Sequence, residues 1–237
     1  MNKFNQAQEA VFFSAPGYAK DGLAYLLTAQ KLDPENKDII LSLIEFYLQA
    51  PGIAGGDEDE AKNLADALFE KDAIFGTIAL AKILAYDDSY DEAIKLIDKQ
   101  LHAFPENSQL HSQKAFLLMD SDKPAQAIEA LARSITLIKE EAEKYENIYQ
   151  IGRLAAVYQL KAELGKSALQ QYLAYYQGSD NRRLKWANLR LAQIYMQAND
   201  INDAKAIIAS LQDQAHPQKR FRKELKSVEK TISKLDS

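Results

Sequence analysis

Residues 51–61, PGIAGGDEDEA, set three glycines and a proline in front of four consecutive carboxylates. Glycine-rich backbone offers the N–H groups of a phosphate cradle, and carboxylates offer the oxygens of a calcium loop. Neither arrangement is complete. A Walker loop continues into G-K-[ST] so that a lysine meets the phosphate, whereas here the glycines run into Asp57, Glu58, Asp59 and Glu60, which repel an anion. An EF-hand loop places a Gly after its alternating Asp residues and a Glu at its twelfth position, and no such Gly follows Asp57 and Asp59.

A second stretch, LKAELGKSAL, imitates the end of a Walker loop at Gly165-Lys166-Ser167, but Leu160 stands where the first glycine belongs and no strand precedes it. The expected reading is a turn between two helices with Gly165 as the helix-ending residue. His102, His111 and His216 are the only histidines, no HExxH pattern occurs, and the chain has no cysteine. Zinc and thiol chemistry therefore have no ligand set at a recognisable spacing. The many Asp and Glu residues suit solvated helix faces and first-turn positions, and nothing marks one pair above another for hydrolysis. The expectation is a protein that is not an enzyme, with no catalytic residue, no cofactor and no metal.

The elements that would carry any site are helices. Of 237 residues, 47% are hydrophobic and 27% charged, enough to bury a core, while valine occurs only at Val11, Val157 and Val228. Strands are poorly supplied and helices well supplied. The net charge of -5 offers no whole-chain attraction to nucleic acid or an anionic membrane, and no apolar run is long enough to span one. The first twenty residues lack an apolar run suited to a signal peptide, which makes the cytoplasm the default expectation.

The stretches GLAYLLTAQKLDP, AIKLIDKQLHAFP and AIEALARSITLIK each begin with a small residue and place a large apolar one four positions later. Small anchors of this kind recur at Gly22, Ala61, Ala93, Ala127, Ala168 and Ala204, at intervals of 39, 32, 34, 41 and 36 residues. Large apolar residues precede them by nine at Phe13, Leu84, Leu118 and Tyr195, with Tyr158 and Tyr47 further off. Such a period predicts a solenoid of helix pairs. The pattern resembles the tetratricopeptide repeat and its bacterial, often exported, functionally uncharacterised subgroup, seen best in WANLRLAQIYMQANDINDAKAIIASL and ILAYDDSYDEAIKLIDKQLHAFPEN. The resemblance implies an all-α, right-handed superhelical solenoid of antiparallel helix pairs forming one domain over 1–237. Its units would be approximately 3–36, 37–73, 74–107, 108–148, 149–184 and 185–215, closed by a capping helix over 217–235. It also implies a periplasmic or exported location if the chain is a trimmed mature fragment.

Within this frame PGIAGGDED is a long turn, with Asp57 as N-cap, Glu60 completing a capping box and Gly52, Gly55 and Gly56 supplying positive φ. The tail carries Phe221, Leu225, Val228, Ile232 and Leu235 on one face of a helix begun by Pro217, a stripe suited to closing the last repeat.

In the tetratricopeptide family the first helix of each unit faces a concave groove where partners bind. The resemblance places Glu45, Phe75, Lys82, Phe116 and Met119 on that lining, followed by Arg153, Trp186, Gln193 and Met196, and sets Leu48, Ile78, Ser112 and Leu189 on it with them. The Lys/Asn clamp by which some members hold a chaperone's C-terminal carboxylate is not repeated, since Ser112, Phe116, Arg153 and Val157 occupy its places. The expected function is a protein–protein interaction scaffold holding a peptide or partner segment, with no nucleic acid as partner and homo-oligomerisation open. The alternatives are a self-associating structural module of a larger assembly and an accessory subunit taking a small organic ligand near Tyr145, Tyr149, Tyr158, Tyr172, Tyr175 and Tyr176. Replacing Asp57 and Asp59 together by Asn is expected to leave calcium binding in calorimetry unchanged; a loss of binding heat would reveal a metal loop here.

Overall fold

The computed structural model describes residues 16–181, 183–212 and 218–235, and every regular element among them is helical. Helix α1 (Pro16–Leu32) is followed by the pairs α2 (Lys37–Gln49) and α3 (Glu58–Lys71), then α4 (Ala73–Tyr86) and α5 (Tyr90–Ala103). After these come α6 (Ser108–Asp120) and α7 (Pro124–Ile135), α8 (Glu141–Tyr158) and α9 (Ala162–Tyr175), α10 (Leu184–Gln197) and α11 (Ile201–Gln212), and α12 (Lys219–Leu235). Phe13 and the rest of the first unit's leading helix lie outside the described residues. Helix α8 is continuous across residue 148, where the sequence spacing set a unit boundary.

The chain packs as two compact units that divide between Asp122 and Lys123. In the first unit each helix from α1 to α6 packs on the next, and α4 also touches α2 and α6. In the second, α7 to α12 pack in the same successive way, and α10 also touches α8 and α12. Within each unit the leading helices are therefore in contact in succession, α2 with α4 and α4 with α6 in the first, α8 with α10 and α10 with α12 in the second.

Small residues make this spacing attainable. The anchors Ala61, Ala93, Ala127, Ala168 and Ala204 are all 5% exposed or less, whereas Gly22 has open space around it. At other crossings even a methyl group is excluded. A Cβ on Gly76 would stand 2.1 Å from Phe69 Cα, one on Gly152 would stand 2.3 Å from Leu169 Cγ, and one on Gly165 would stand 2.2 Å from Ala155 Cβ. Gly165 is thus not the helix-ending residue that its sequence context suggests. It lies in the first turn of α9, and the turn before it runs from Gln159 to Lys161, both left-handed with φ of 58° and 47°.

Polar residues rather than glycine end several leading helices. Asp88, Asp122 and Asn199 have φ of 58°, 58° and 64°, a conformation that short polar side chains tolerate. The following amide reaches back five residues in the same way each time it is seen: Ser89 N to Leu84 O at 2.9 Å, Leu160 N to Ala155 O at 3.1 Å and Asp200 N to Tyr195 O at 2.8 Å. Side-chain caps open α2, α4 and α6, where Asn36 accepts from Asp38 N and Ile39 N, Asp72 from Ile74 N and Phe75 N, and Asn107 from Leu110 N.

The turn at 51–57 corrects two expectations. Of its glycines only Gly55 has a positive φ, 101°; Gly56 is needed because a Cβ there would meet the Ala50 carbonyl oxygen at 1.7 Å, and Gly52 meets neither requirement. Asp57 does cap α3 by accepting from Glu60 N at 3.0 Å. The return half of the capping box is replaced, because Asp57 N–H donates to Tyr47 O at 3.0 Å and closes the turn onto α2.

In α12, Phe221, Leu225, Val228 and Ile232 are buried against Leu189, Ala192, Ala204, Ile208 and Leu211. Leu235 departs from the expected stripe and is 53% exposed at the last turn. Pro217 lies outside the described residues. Two glycine substitutions separate packing from propensity. Gly22→Ala is expected to stabilise by up to ~1 kcal/mol through helix propensity. Gly76→Ala carries the same gain but meets backbone that cannot yield, and is expected to destabilise on balance by ~1–2 kcal/mol; denaturant unfolding of the two variants reads both signs.

Candidate functional site

Some of the candidate lining residues meet across neighbouring leading helices of a unit. In the first unit Glu45 on α2 forms an ion pair with Lys82 on α4. Beside them, Lys37 Nζ sits 4.9 Å from the centre of the Phe75 ring and 2.5 Å from Asp72 Oδ2. Burial alone would raise the Asp72 pKa, but the Lys37 hydrogen bond, the amides of Phe75 and Ile74 and the Lys37 charge outweigh it and hold the carboxyl below its ordinary value. Phe75 packs partly on the core of α2, α3 and α4. On α6, Phe116 is 38% exposed and Met119 is half-buried. Leu48, Ile78, Ser112 and Leu189, expected on the lining, are buried instead, because the same helices must also seal the layer against their neighbours.

The second unit is more strongly built. Trp186 on α10 stands edge-on to Phe221 of α12 with ring centres 5.0 Å apart, and its Nε1 donates to Gln218 Oε1 at 3.2 Å. Arg190, one turn further along α10, is only 6% exposed. It donates through Nη1 to Gln193 Oε1 at 2.9 Å and forms an ion pair with Glu224 at 2.7 Å. Removing one partner of so enclosed a pair leaves an uncompensated charge, a loss of ~3–5 kcal/mol. Glu224 also lies 3.3 Å from Arg220 Nε. Arg153 on α8 donates through Nε to Gln150 Oε1 at 2.6 Å, and Met196 packs against the core beneath α12. Sequence reasoning placed Arg153, Trp186, Gln193 and Met196 here and missed Arg190, Arg220 and Glu224. The four-residue step from Trp186 to Arg190 on one helical face was the available signal.

In the tyrosine-rich region the rings pack on one another. Tyr145 stacks on Tyr175 with ring centres 3.7 Å apart, Tyr176 meets the Tyr145, Tyr172 and Tyr175 rings, and Tyr149 lies 5.1 Å from Tyr172. Burial pushes the Tyr172 hydroxyl pKa up to about 12, although the Asn181 amide donating to it pulls the other way. These rings pack against one another, and Tyr158 is 40% exposed.

His102 Nδ1 donates to Asp98 O at 2.6 Å and His111 Nε2 to Pro105 O at 2.9 Å, while His216 lies outside the described residues. Among the described residues, no group of three or more His, Asp or Glu side chains converges as a metal ion requires, and no helix is long and apolar enough to cross a membrane. Lys166, the lysine of the Walker-like stretch, lies over the Tyr195 ring at 5.6 Å.

No family model matches the chain, and no curated protein matches its sequence. Solved structures match its fold. Yeast Tom70 aligns with a TM-score of 0.62 at 20% identity over 90% of this chain and 43% of its own, so the chain spans less than half of that protein. YrrB, described as a TPR protein with an unusual peptide-binding site, aligns with a TM-score of 0.56 at 15% identity over 85% of this chain and 97% of its own. TTC0263 of Thermus thermophilus, described as a thermophilic TPR protein, aligns with a TM-score of 0.52 at 13% identity over 76% of this chain and 92% of its own. Successive helix pairs, with leading helices in contact inside each unit, define an α-helical repeat protein. The fold is that of the tetratricopeptide repeat.

Helix α12 completes the second unit's face as well as its core. Phe221→Ala is expected to cost ~3–5 kcal/mol through the cavity left under Trp186. Deleting residues 217–237 is expected to lower the melting temperature clearly and promote aggregation, as followed by calorimetry and light scattering.

Proposed function

We infer that the protein is a non-catalytic interaction scaffold that holds a peptide or partner-protein segment along its leading helices. The observation behind this reading is that these helices pack on one another while leaving large and polar side chains partly exposed along them. In the first unit these include Phe116, 38% exposed, and Met119; in the second they include Trp186, Gln193 and Met196, all half-buried. Apolar anchors interleaved with hydrogen-bonding groups suit an extended segment or an amphipathic helix laid in a groove. YrrB, with the same fold, is described as having a peptide-binding site. The tyrosine packing described above works against the small-ligand alternative.

Affinity capture with the intact protein, followed by peptide mapping of the captured partner, tests this. Phe116→Ala, at a half-exposed position, is expected to weaken the mapped peptide roughly tenfold, about 1.4 kcal/mol, without changing the melting temperature. A partner whose affinity is unchanged by both Phe116→Ala and Met119→Ala, and by Met196→Ala in the second unit, would overturn the reading.

A further inference from the structure

Charge is divided between the two units. Residues 1–122 hold ten Lys and Arg against twenty-one Asp and Glu, net -11, and residues 123–237 hold nineteen against thirteen, net +6. The positive charge is concentrated on α12, which carries seven Lys and Arg and two Glu for a net +5. Its Phe221, Leu225, Val228 and Ile232 turn inward to the core. Both carboxylates are engaged by neighbouring helices, Glu224 by Arg190 and Glu229 by Gln212 Nε2, which donates to it at 3.0 Å. Lys219, Lys223, Lys226 and Lys230 recur three or four residues apart on the opposite side of the helix, and all are exposed, as is Arg222. The outward face of α12 is therefore positive along its length.

Negative charge gathers on one edge of the first unit, where leading helices end and their partners begin. Asp57, Glu58, Asp59 and Glu60 open α3, while Asp87, Asp88, Asp91 and Glu92 span the turn from α4 into α5, and all eight are exposed. The two acidic turns are neighbours. An open cavity of ≈ 340 Å³ is lined from the first by Asp57, Glu58 and Asp59, with Tyr47 of α2, and from the second by Tyr86 at the end of α4. Burial first, and then the charges of Glu60 and Asp57, hold the Tyr47 hydroxyl pKa up. Like charges set this close raise one another's electrostatic free energy, and a cationic surface laid on them reverses the sign. Aromatic rings beside carboxylates also suit the end of a lysine or arginine side chain.

We propose that the outward face of α12 docks on this acidic edge of a second copy of the chain. The two surfaces are opposite in sign and present in equal number, so each copy supplies the face that the other complements. The contact goes beyond the scaffold reading and does not depend on it. An anionic membrane is the poorer occupant. The apolar stripe of α12 is buried in the core, which leaves charge alone to hold a lipid surface, and the net -11 of the first unit is repelled by anionic headgroups. The same repulsion works against RNA.

Sedimentation of the full chain over a range of concentrations, in about 25 mM and about 500 mM sodium chloride, tests this because salt screens exposed charges. At low salt the average mass is expected to rise with concentration above that of one chain. At high salt association is expected to weaken at least tenfold. Two charge reversals isolate the surfaces: Lys223→Glu, Lys226→Glu and Lys230→Glu together in one variant, and Glu58→Lys with Asp59→Lys in the other. Each is expected to stay a single chain by itself at low salt. An equimolar mixture is expected to pair again, because the intact acidic edge of the first variant meets the intact α12 of the second. Gln at the same positions reads the loss of self-association if a reversed variant does not fold. A parent chain that stays single at low salt, an assembly indifferent to salt or to both variants, or a mixture that does not pair would overturn the proposal. A single chain that sediments with phosphatidylserine vesicles, or binds a single-stranded RNA, through the same lysines would replace it with membrane or nucleic-acid docking. None of these outcomes bears on the partner capture and the Phe116, Met119 and Met196 variants that decide the scaffold reading.

Discussion

Helix-to-helix distance is the constraint on which the rest of this structure depends. Inside each unit α2, α4, α8 and α10 contact both their own partner and the next leading helix, and that double contact is possible only where side chains at the crossings are small. Gly76 and Gly152 sit so close to the neighbouring helix that a single methyl group would overlap it. The buried alanines at Ala61, Ala93, Ala127 and Ala204 set the same spacing with a little more room. Larger residues then fill the layers on either side, as Leu43, Ile44, Ile97, Leu131 and Leu154 do. Interiors packed at this density transmit a misfit rather than absorb it.

Turns hold the spacing in register. Asp88, Asp122, Gln159 and Asn199 all end a leading helix in the left-handed conformation, which reverses the chain within a few residues and starts the second helix at a constant offset. Asp72 serves two helices at once. Its amide closes α3 through Leu68 O, and its carboxylate caps α4, so the joint between those helices has no spare residue. Where more chain is available, at 51–57, the extra residues coil into a short 3-10 turn and are tied back to α2. The acidic run that follows supplies the first turn of α3, where negative charge is favourable.

The second unit adds an electrostatic layer to this geometry. Glu224 arrives from α12 to meet Arg190 on α10, so the helix that closes the hydrophobic core also neutralises a buried cation. Its apolar stripe and its carboxylate point in related directions because Phe221, Glu224, Leu225 and Val228 lie three or four residues apart on one side of the helix. Stability and the charge balance of the face carrying Trp186 are therefore linked through a single element.

Repetition was visible in the sequence itself. Small residues recurring at near-constant intervals, with large apolar residues at helical spacing around them, are enough to specify helix pairs and their succession, because only small side chains permit close crossing. The stripe Phe221, Leu225, Val228, Ile232 was equally plain, since helical periodicity decides which residues share a face. Tertiary structure alone decided the rest. It moved Gly165 from a turn into a helix crossing and reserved Gly56 for a close approach rather than for its φ. It also buried Leu48, Ile78 and Leu189 while leaving Phe116 in solvent, because how much of a helical face is covered depends on the neighbour and not on the face. The setting of Trp186 was illegible for the same reason. Arg190 and Arg220 stand on two different helices, and only the packing of α12 on α10 places both over the Trp186 ring and brings Glu224 to them.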